Sequence, residues 1–329
     1  MSVNWGILST AHINRLFLAG ARESPNVNIL AVASRDQPRA DAYARENGIE
    51  RAYGSYDALL ADPDVEAVYI SLPNSLHIPW TIKSLEAGKH VLCEKPLSRH
   101  AGEVERAFDV AEKQRRLLME AFMYRHNPQT QRLKQLVADR AVGRIRIIRA
   151  AFGFVAPDPE NVRLQAALDG GALMDVGCYC VSGARLIAGE PHHVAGEQAL
   201  GGKDDGVDVA FAGLMRFDDD IAAHFDAGLA LASQDVLEVV GDQGTLRTTD
   251  PWHCRRPGID VIHEDGSVER IEIEPANSYR LEAENMSAAI RGEAPLLLDR
   301  ADAVSQARTI EALYQAAGEG RVVSLSRRS

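Results

Sequence analysis

The sequence runs to 329 residues, which favours two domains over one core, and its hydrophobic share of 46% is that of an ordinary soluble globular protein. A formal net charge of −11, with Lys and Arg scattered rather than clustered, argues against a nucleic-acid partner, since phosphate backbones are held by basic patches. No apolar run approaches the roughly 20 residues of a membrane helix, and Met1–Asn4 lacks the charged-then-apolar layout of a signal peptide, so a cytoplasmic protein without membrane contact is expected.

The first part of the chain alternates short β-branched runs with amphipathic stretches. Strands are expected at 3–8 (VNWGIL), 28–34 (NILAVAS), 67–73 (AVYISLP), 90–96 (HVLCEKP) and 117–123 (LLMEAFM), with helices such as 36–48 and 101–116 between them. That alternation marks a parallel, doubly wound sheet, and the runs are almost wholly apolar, as strands covered on both faces are. After the helical stretch 127–143 the rhythm changes. Runs at 144–154, 207–217, 221–231, 235–249 and 258–274 have few helices between them. The turns Asp242-Gln243-Gly244 and Glu264-Asp265-Gly266 read as hairpins, so this part is a mostly antiparallel sheet. Two helical patterns, 278–292 and 299–320, close the chain, each stopped by a glycine. The predicted fold is α/β, with a doubly wound domain over residues 1–123 and an α+β domain with a large open-faced sheet over 124–329.

Four cysteines, at 93, 178, 180 and 254, show no C-x-x-C spacing, so neither a zinc site nor a disulfide framework is expected, and Cys178 and Cys180 read as small buried residues. The histidines form no recognisable ligand pair. His192-His193 follow a Gly-Glu-Pro turn and read as a loop pair, so no metal is expected.

Between the first strand and first helix lies GILSTAHINRLF, Gly6 to Phe17. Ser9, Ala11 and Asn14 fall on the G-x-G-x-x-G spacing of a dinucleotide turn, yet none is glycine. Such a turn must be tight, must let the backbone approach a pyrophosphate, and must aim a helix N-terminus at the anion. Ser9, Thr10 and Ala11 are small enough for the close approach, the two hydroxyls add donors, and His12 and Ile13 lead into the helix. Asn14 demands a little more space between helix and strand. Alone, the motif fits a plain strand–turn–helix equally well. The second strand adds weight: Ser34-Arg35 stand where a carboxylate would bind the ribose 2′-hydroxyl of NAD, and both can donate to a 2′-phosphate, with Arg39 one helical turn on. This favours NADP over NAD, against the alternative of solvated arginines, which fits Arg39 better than Arg35.

Glu94-Lys95-Pro96 ends a strand, where ligands of doubly wound sheets sit, so Lys95 is expected to face the cofactor crevice. A second cluster is DGGALMDVGCYC. Gly170-Gly171 break the preceding segment and a helix is expected from about Ala172, which puts Asp175 and Tyr179 four residues apart on one face. A capped helix with a core tyrosine explains that pair equally well.

The strand-end EKP, the preceding ISLPNSLH, the GGALMDVGCY helix and the closing YRLEAENMSAAIRGEAP together resemble the Gfo/Idh/MocA oxidoreductases, over nearly the whole chain. The resemblance implies an N-terminal Rossmann domain, NAD(P)-dependent dehydrogenase chemistry on the CH–OH groups of sugars, and a homodimer or homotetramer formed through the open sheet. It further implies that Leu72, Pro73, Asn74, His77 and Glu94 line the nicotinamide side with Lys95, and that Arg163 reaches substrate. Tyr179 stands where many relatives carry His. With STA in place of the first glycines, it resembles the branch holding D-xylose and dihydrodiol dehydrogenases, in which a glycine-poor turn still binds a nicotinamide dinucleotide.

Oxidising a sugar hydroxyl requires a hydride acceptor and a base in line. NADP is expected to supply the first and Tyr179 the second. A free phenol titrates at about 10, and half-ionising it at neutral pH takes roughly 4 kcal/mol. An ammonium about 4 Å away, at an effective dielectric of about 20, supplies that much. Lys95 is the residue assigned to it, with Asp175 orienting substrate or Lys95. The expected reaction oxidises the anomeric carbon of an aldose such as D-xylose to a lactone. The alternatives are a trans-dihydrodiol dehydrogenase or keto-sugar reductase and, outside catalysis, an NADP-binding sensor.

Overall fold

The computed structural model describes residues 2–202 and 206–325, which divide by contact into two units: 1–123 with 277–304, and 124–276 with 305–329. The first unit opens with β1 (Val3–Leu8), α1 (Asn14–Arg22), β2 (Val27–Ala33), α2 (Gln37–Asn47), β3 (Arg51–Tyr53), α3 (Tyr56–Leu60), β4 (Ala67–Ile70), α4 (His77–Glu86), β5 (His90–Glu94), α5 (Ala101–Gln114) and β6 (Leu118–Ala121). All six strands pair in parallel, in the order β3-β2-β1-β4-β5-β6. Helix boundaries follow local chemistry. Asp36 caps α2 by accepting the Arg39 N–H, and Gly48 ends that helix at a φ of 64°.

In the second unit, α6 (Pro128–Ala138) is capped by Asn127. It is followed by β7 (Ile145–Val155), α7 (Cys178–Ala188), β8 (His193–Gly201), β9 (Val207–Arg216), β10 (Ala222–Gly228), β11 (Ala230–Gly241), β12 (Gly244–Thr249), β13 (Gly258–His263) and β14 (Val268–Glu272). The chain closes with α8 (Ser278–Ile290), α9 (Arg300–Glu319) and β15 (Val323–Ser324). The sheet order is β14-β13-β12-β11-β7-β10-β9-β8-β15, antiparallel except between β7 and β10. The hairpins expected at 242–244 and 264–266 join β11 to β12 and β13 to β14.

Three local readings change. The run 221–231 is broken after Gly228, where the Leu229 N–H turns to the Val209 carbonyl, so it supplies the whole of one strand and the start of another. His193 belongs to β8, paired with Ser324, rather than to a loop. Residues 277–304 pack with the first unit although they follow the second in sequence. The reason is α8: its backbone approaches α1 so closely that a Cβ on Gly20 would lie 2.5 Å from the Arg280 nitrogen. The Trp5 indole N–H donates to Ser287 Oγ at 3.2 Å. Beneath these helices Phe17 stacks on Tyr69 at 4.0 Å and meets Trp5 edge-on at 5.8 Å, all three rings fully buried. Among the described residues no helix is long and apolar enough to cross a membrane.

Candidate active site

In the first unit the turn after β1 is held by its own hydroxyls. Ser9 has a φ of 145°, a backbone conformation that favours glycine. Its Oγ accepts the Ala11 N–H at 3.0 Å and lies 2.7 Å from Ser71 Oγ, just past β4. Asn14 is fully buried, donates from Nδ2 to the Ser9 carbonyl at 3.0 Å, and accepts from Ser71 Oγ at 2.5 Å. The side chain expected to space helix from strand therefore staples them together. Strand order reverses between β1 and β4, so this staple sits at the crevice mouth of the sheet. Thr10, Ala11 and Ile13 are half-buried and His12 is exposed. Ile13, at the N-cap of α1, makes no side-chain cap, and the first-turn N–H groups of Asn14, Arg15 and Leu16 turn back to the carbonyls of Ala11, His12 and Ile13.

At the end of β2, Ser34 is buried, with its N–H on the Tyr53 carbonyl, while Arg35 and Arg39 are exposed. Arg39 Nε donates to Thr10 Oγ1 at 2.7 Å, which draws that guanidinium onto the turn. Burial raises the Tyr56 pKa, and the charges of Arg35 and Arg39 oppose the rise, so both cations stand near that phenol. The neighbouring carboxylate, Asp36, is occupied as the α2 cap. Two cations beside the turn that opens α1 fit a dinucleotide carrying an extra phosphate.

Past β4, Leu72 is buried and Pro73 and Asn74 are half-buried, Asn74 opening a short 3-10 turn over Asn74–Leu76. His77 is buried between the loops that follow β4 and β5. Its ring is 1% exposed, with Nδ1 2.8 Å from the Pro96 carbonyl and Nε2 2.8 Å from the Leu72 carbonyl. It braces the loops after β4 and β5 to one another. Glu94 accepts a hydrogen bond from the Tyr69 hydroxyl, and its second oxygen accepts the Lys95 N–H at 3.3 Å. Lys95 is half-buried and is joined to Pro96 by a cis peptide.

In the second unit the helix expected from Ala172 is present, but it begins with a π turn over Leu173–Gly177 before α7. Such turns often mark functional sites, and this one carries Asp175. The carboxylate serving the helix N-terminus is Asp208 of β9, whose Oδ2 accepts the Leu173 N–H at 2.7 Å and whose Oδ1 accepts the Tyr314 hydroxyl at 2.8 Å. Gly171, at a φ of 122°, leaves room for that carboxylate. Asp175 is thereby left to accept Arg163 Nε at 2.7 Å. The arginine expected to reach substrate thus holds the acid.

Tyr179, 6% exposed, sits among rings that sequence reading passed over. Phe152 meets it edge-on at 5.4 Å, Tyr124 lies at 5.7 Å and Trp252 at 6.0 Å. The signal for one of them was present. Phe152 and Phe154 alternate along β7 and share a face, and the Arg163 guanidinium lies 5.9 Å over the Phe154 ring. On that same face Asp235 pairs with Phe152 across β11 and β7. His253 Nδ1 lies 3.7 Å from Asp235 and 3.6 Å from Asp250, with its ring edge-on to Phe152 at 5.4 Å. Burial raises the Asp235 pKa, His253 opposes the rise and Asp250 adds to it. The four cysteines are buried and none is joined in a disulfide among the described residues.

Residues 3–122 match the family described as oxidoreductase family, NAD-binding Rossmann fold, and residues 130–247 match the GFO/IDH/MocA C-terminal domain. The chain is 39% identical over 325 residues to a D-xylose 1-dehydrogenase (NADP(+)) of Haloferax volcanii, covering 98% of this chain and 99% of that one. It is 33% identical over 264 residues to the trans-1,2-dihydrobenzene-1,2-diol dehydrogenase of Homo sapiens, covering 77% and 76%. Its fold superposes on the crystal structure of an aldose-aldose oxidoreductase from Caulobacter crescentus with a TM-score of 0.91 at 27% identity, over 99% of this chain and 100% of that one. The chain belongs to the Gfo/Idh/MocA oxidoreductase family. It is an NAD(P)-dependent sugar oxidoreductase.

Proposed function

We propose that the chain is an NADP-preferring aldose dehydrogenase that oxidises the anomeric hydroxyl of a D-xylose-like pyranose to a lactone. The observation that carries this reading is the polar edge of Tyr179, Asp175 and Arg163 set against Phe152 and Phe154. A pyranose has hydroxyls for such an edge and an apolar C–H face for such rings. The relative with 39% identity supports the sugar, and Arg35 and Arg39 support the 2′-phosphate.

Tyr179 takes the hydroxyl proton of the substrate, and Lys95, at the end of β5, is the second catalytic group of the proposed reaction. When bound, the nicotinamide accepts the hydride leaving the same carbon. Asp175, held by Arg163, orients the sugar. Ser9, Thr10, Ala11, His12 and Ile13 hold the pyrophosphate, Ser34, Arg35 and Arg39 the adenosine phosphate. Leu72, Pro73, Asn74 and Glu94 shape the nicotinamide side. The open face of the nine-stranded sheet, where Leu214 is 57% and Val268 59% exposed, is the proposed contact between subunits.

A second reading, a trans-dihydrodiol dehydrogenase, is favoured by the same ring wall, which suits an unsaturated carbocycle. Initial rates with NADP and NAD across pentoses, hexoses and trans-dihydrodiols separate the two. Highest kcat/KM with an aldopentose and NADP is expected; turnover confined to dihydrodiols refutes the aldose assignment. Tight cofactor binding without turnover on any of these substrates would instead indicate a sensor.

A further inference from the structure

The first unit contains one carboxyl group that neither the fold nor the reaction explains. Glu282, on α8, is fully buried, and neither of its oxygens has a hydrogen-bond partner in the structure. A carboxylate in a dry, unpartnered site costs several kcal/mol or more, so such a group keeps its proton. The neutral acid still has one O–H to place. The titratable groups that interact with it electrostatically are Glu94 at the end of β5 and the Tyr69 phenol of β4, and Tyr279 of its own helix acts on that same phenol. From α1 the charged neighbour is Glu23, which is turned to Asn277 and Arg280. Of these, Glu94 is the charged group that acts on Glu282, and it is a like charge.

Glu94 is also the group bonded to both the Tyr69 hydroxyl and the Lys95 N–H. An anion in that position fixes the backbone where the strand passes into Lys95, and a neutral acid behind it is compatible with that charge where a second carboxylate is not. We propose that Glu282 is a permanently protonated carboxylic acid in the neighbourhood of the Glu94 carboxylate, and a positioning residue for the strand end that carries Lys95. The positioning part rests on the assignment of Lys95 to the reaction; the protonated state does not. Burial and the Glu94 charge push the Glu282 carboxyl well above its ordinary range.

The test uses the full-length protein. The infrared spectrum of the wild type at neutral pH should contain a protonated-carboxyl carbonyl stretch that is missing from Glu282→Gln. Because the folded acid titrates above the unfolded one, the stability that Glu282 contributes falls as pH rises through and beyond the ordinary carboxyl range, so the urea stability of the wild type minus that of Glu282→Gln should slope downward with pH. An absent band, or a slope unchanged by the substitution, overturns the protonated state. For positioning, Glu282→Gln keeps a donor and should retain kcat within about twofold, whereas Glu282→Leu should lose about tenfold in kcat with cofactor affinity unchanged. Wild-type kcat in a folded Glu282→Leu overturns the positioning role. Normal turnover in Lys95→Ala would refute the Lys95 assignment instead and leave the infrared and urea results standing.

Discussion

Arg163 donates its Nε–H to Asp175 Oδ2 at 2.7 Å, while the N-terminus of the helix that carries Asp175 is served by a different carboxylate, Asp208. The Leu173 N–H is thus capped by Asp208, and the Arg163–Asp175 ion pair is expected to act as one unit toward substrate. Arg163→Met and Asp175→Asn are each expected to lower kcat/KM for the sugar by about tenfold, the scale of one charge-assisted hydrogen bond, with cofactor KM unchanged. The double variant should be no worse than the poorer single one. Steady-state kinetics of the four proteins check this, and fully additive losses would mean that the two residues act separately.

The catalytic assignment predicts a different pattern for Lys95→Ala and Tyr179→Phe. Each should lower kcat by about 10²–10⁴-fold, the range for removing a positioned proton acceptor, with little change in cofactor dissociation. Fluorescence titration of the cofactor beside single-turnover rates distinguishes lost chemistry from lost binding. Near-normal turnover in either variant refutes its role.

Cofactor choice turns on the end of β2. Arg39 is drawn onto the turn through Thr10, Arg35 stands near the same phenol, and Asp36 is engaged as a helix cap. Arg35→Ala is expected to raise KM for NADP by about tenfold and to leave KM for NAD within about twofold, since only the former has a phosphate to lose. Equal losses with both cofactors would place Arg35 elsewhere in the binding mode.

The Ser9 backbone offers a stability test. At a φ of 145° a side chain is strained, but its hydroxyl holds the turn through Ala11 and Ser71. Ser9→Gly relieves the backbone while losing the bonds, so its unfolding free energy should stay within about 1 kcal/mol of wild type. Ser9→Ala keeps the strain and loses the bonds, and should cost about 1–2 kcal/mol and weaken cofactor binding. Urea denaturation of the two variants ranks them, and an Ala variant as stable as the Gly variant would sink the explanation.

Which of these features can be read in the sequence follows from the range of the forces that make them. The parallel sheet was legible because apolar runs such as AVYISLP repeat between amphipathic helices, a pattern imposed by burial on both faces. Lys95 and Tyr179 could be singled out because a strand end and a helix start are local signals. The π turn at Leu173–Gly177 was not, since it preserves composition and shifts only the hydrogen-bond step. Asp208 was hidden too, because it reaches the helix N-terminus from a strand 35 residues away. Asp235 and His253 meet only through the pairing of β11 with β7 and the loop after β12. Glu282 reads in LEAENM as one more glutamate on an amphipathic helix. Its burial comes from the return of α8 to the first unit, which no periodicity announces.

Two half-buried imidazoles define an acid limit to the fold. His90 accepts the Leu117 N–H on Nδ1 at 3.0 Å, a bond that protonation of that nitrogen breaks, and burial with the Arg116 charge pushes its pKa down to about 4. Burial, with Arg125 adding to it, pushes His126 down to about 3. In the unfolded chain both titrate at about 6.5. Below that value the unfolded state binds protons that the folded state refuses, so stability fully present above about 6.5 declines as pH falls toward the folded values. His90 lies in the first unit and His126 in the second, so each should soften its own part of the chain. His90→Asn keeps an acceptor for Leu117 without a titrating ring, and His126→Leu fills apolar surroundings. Measured in urea, the unfolding free energy of the wild type minus that of the double variant should decline as pH falls from about 7 to 5. A difference that stays constant across that interval would mean that the two rings are protonated in the native state after all.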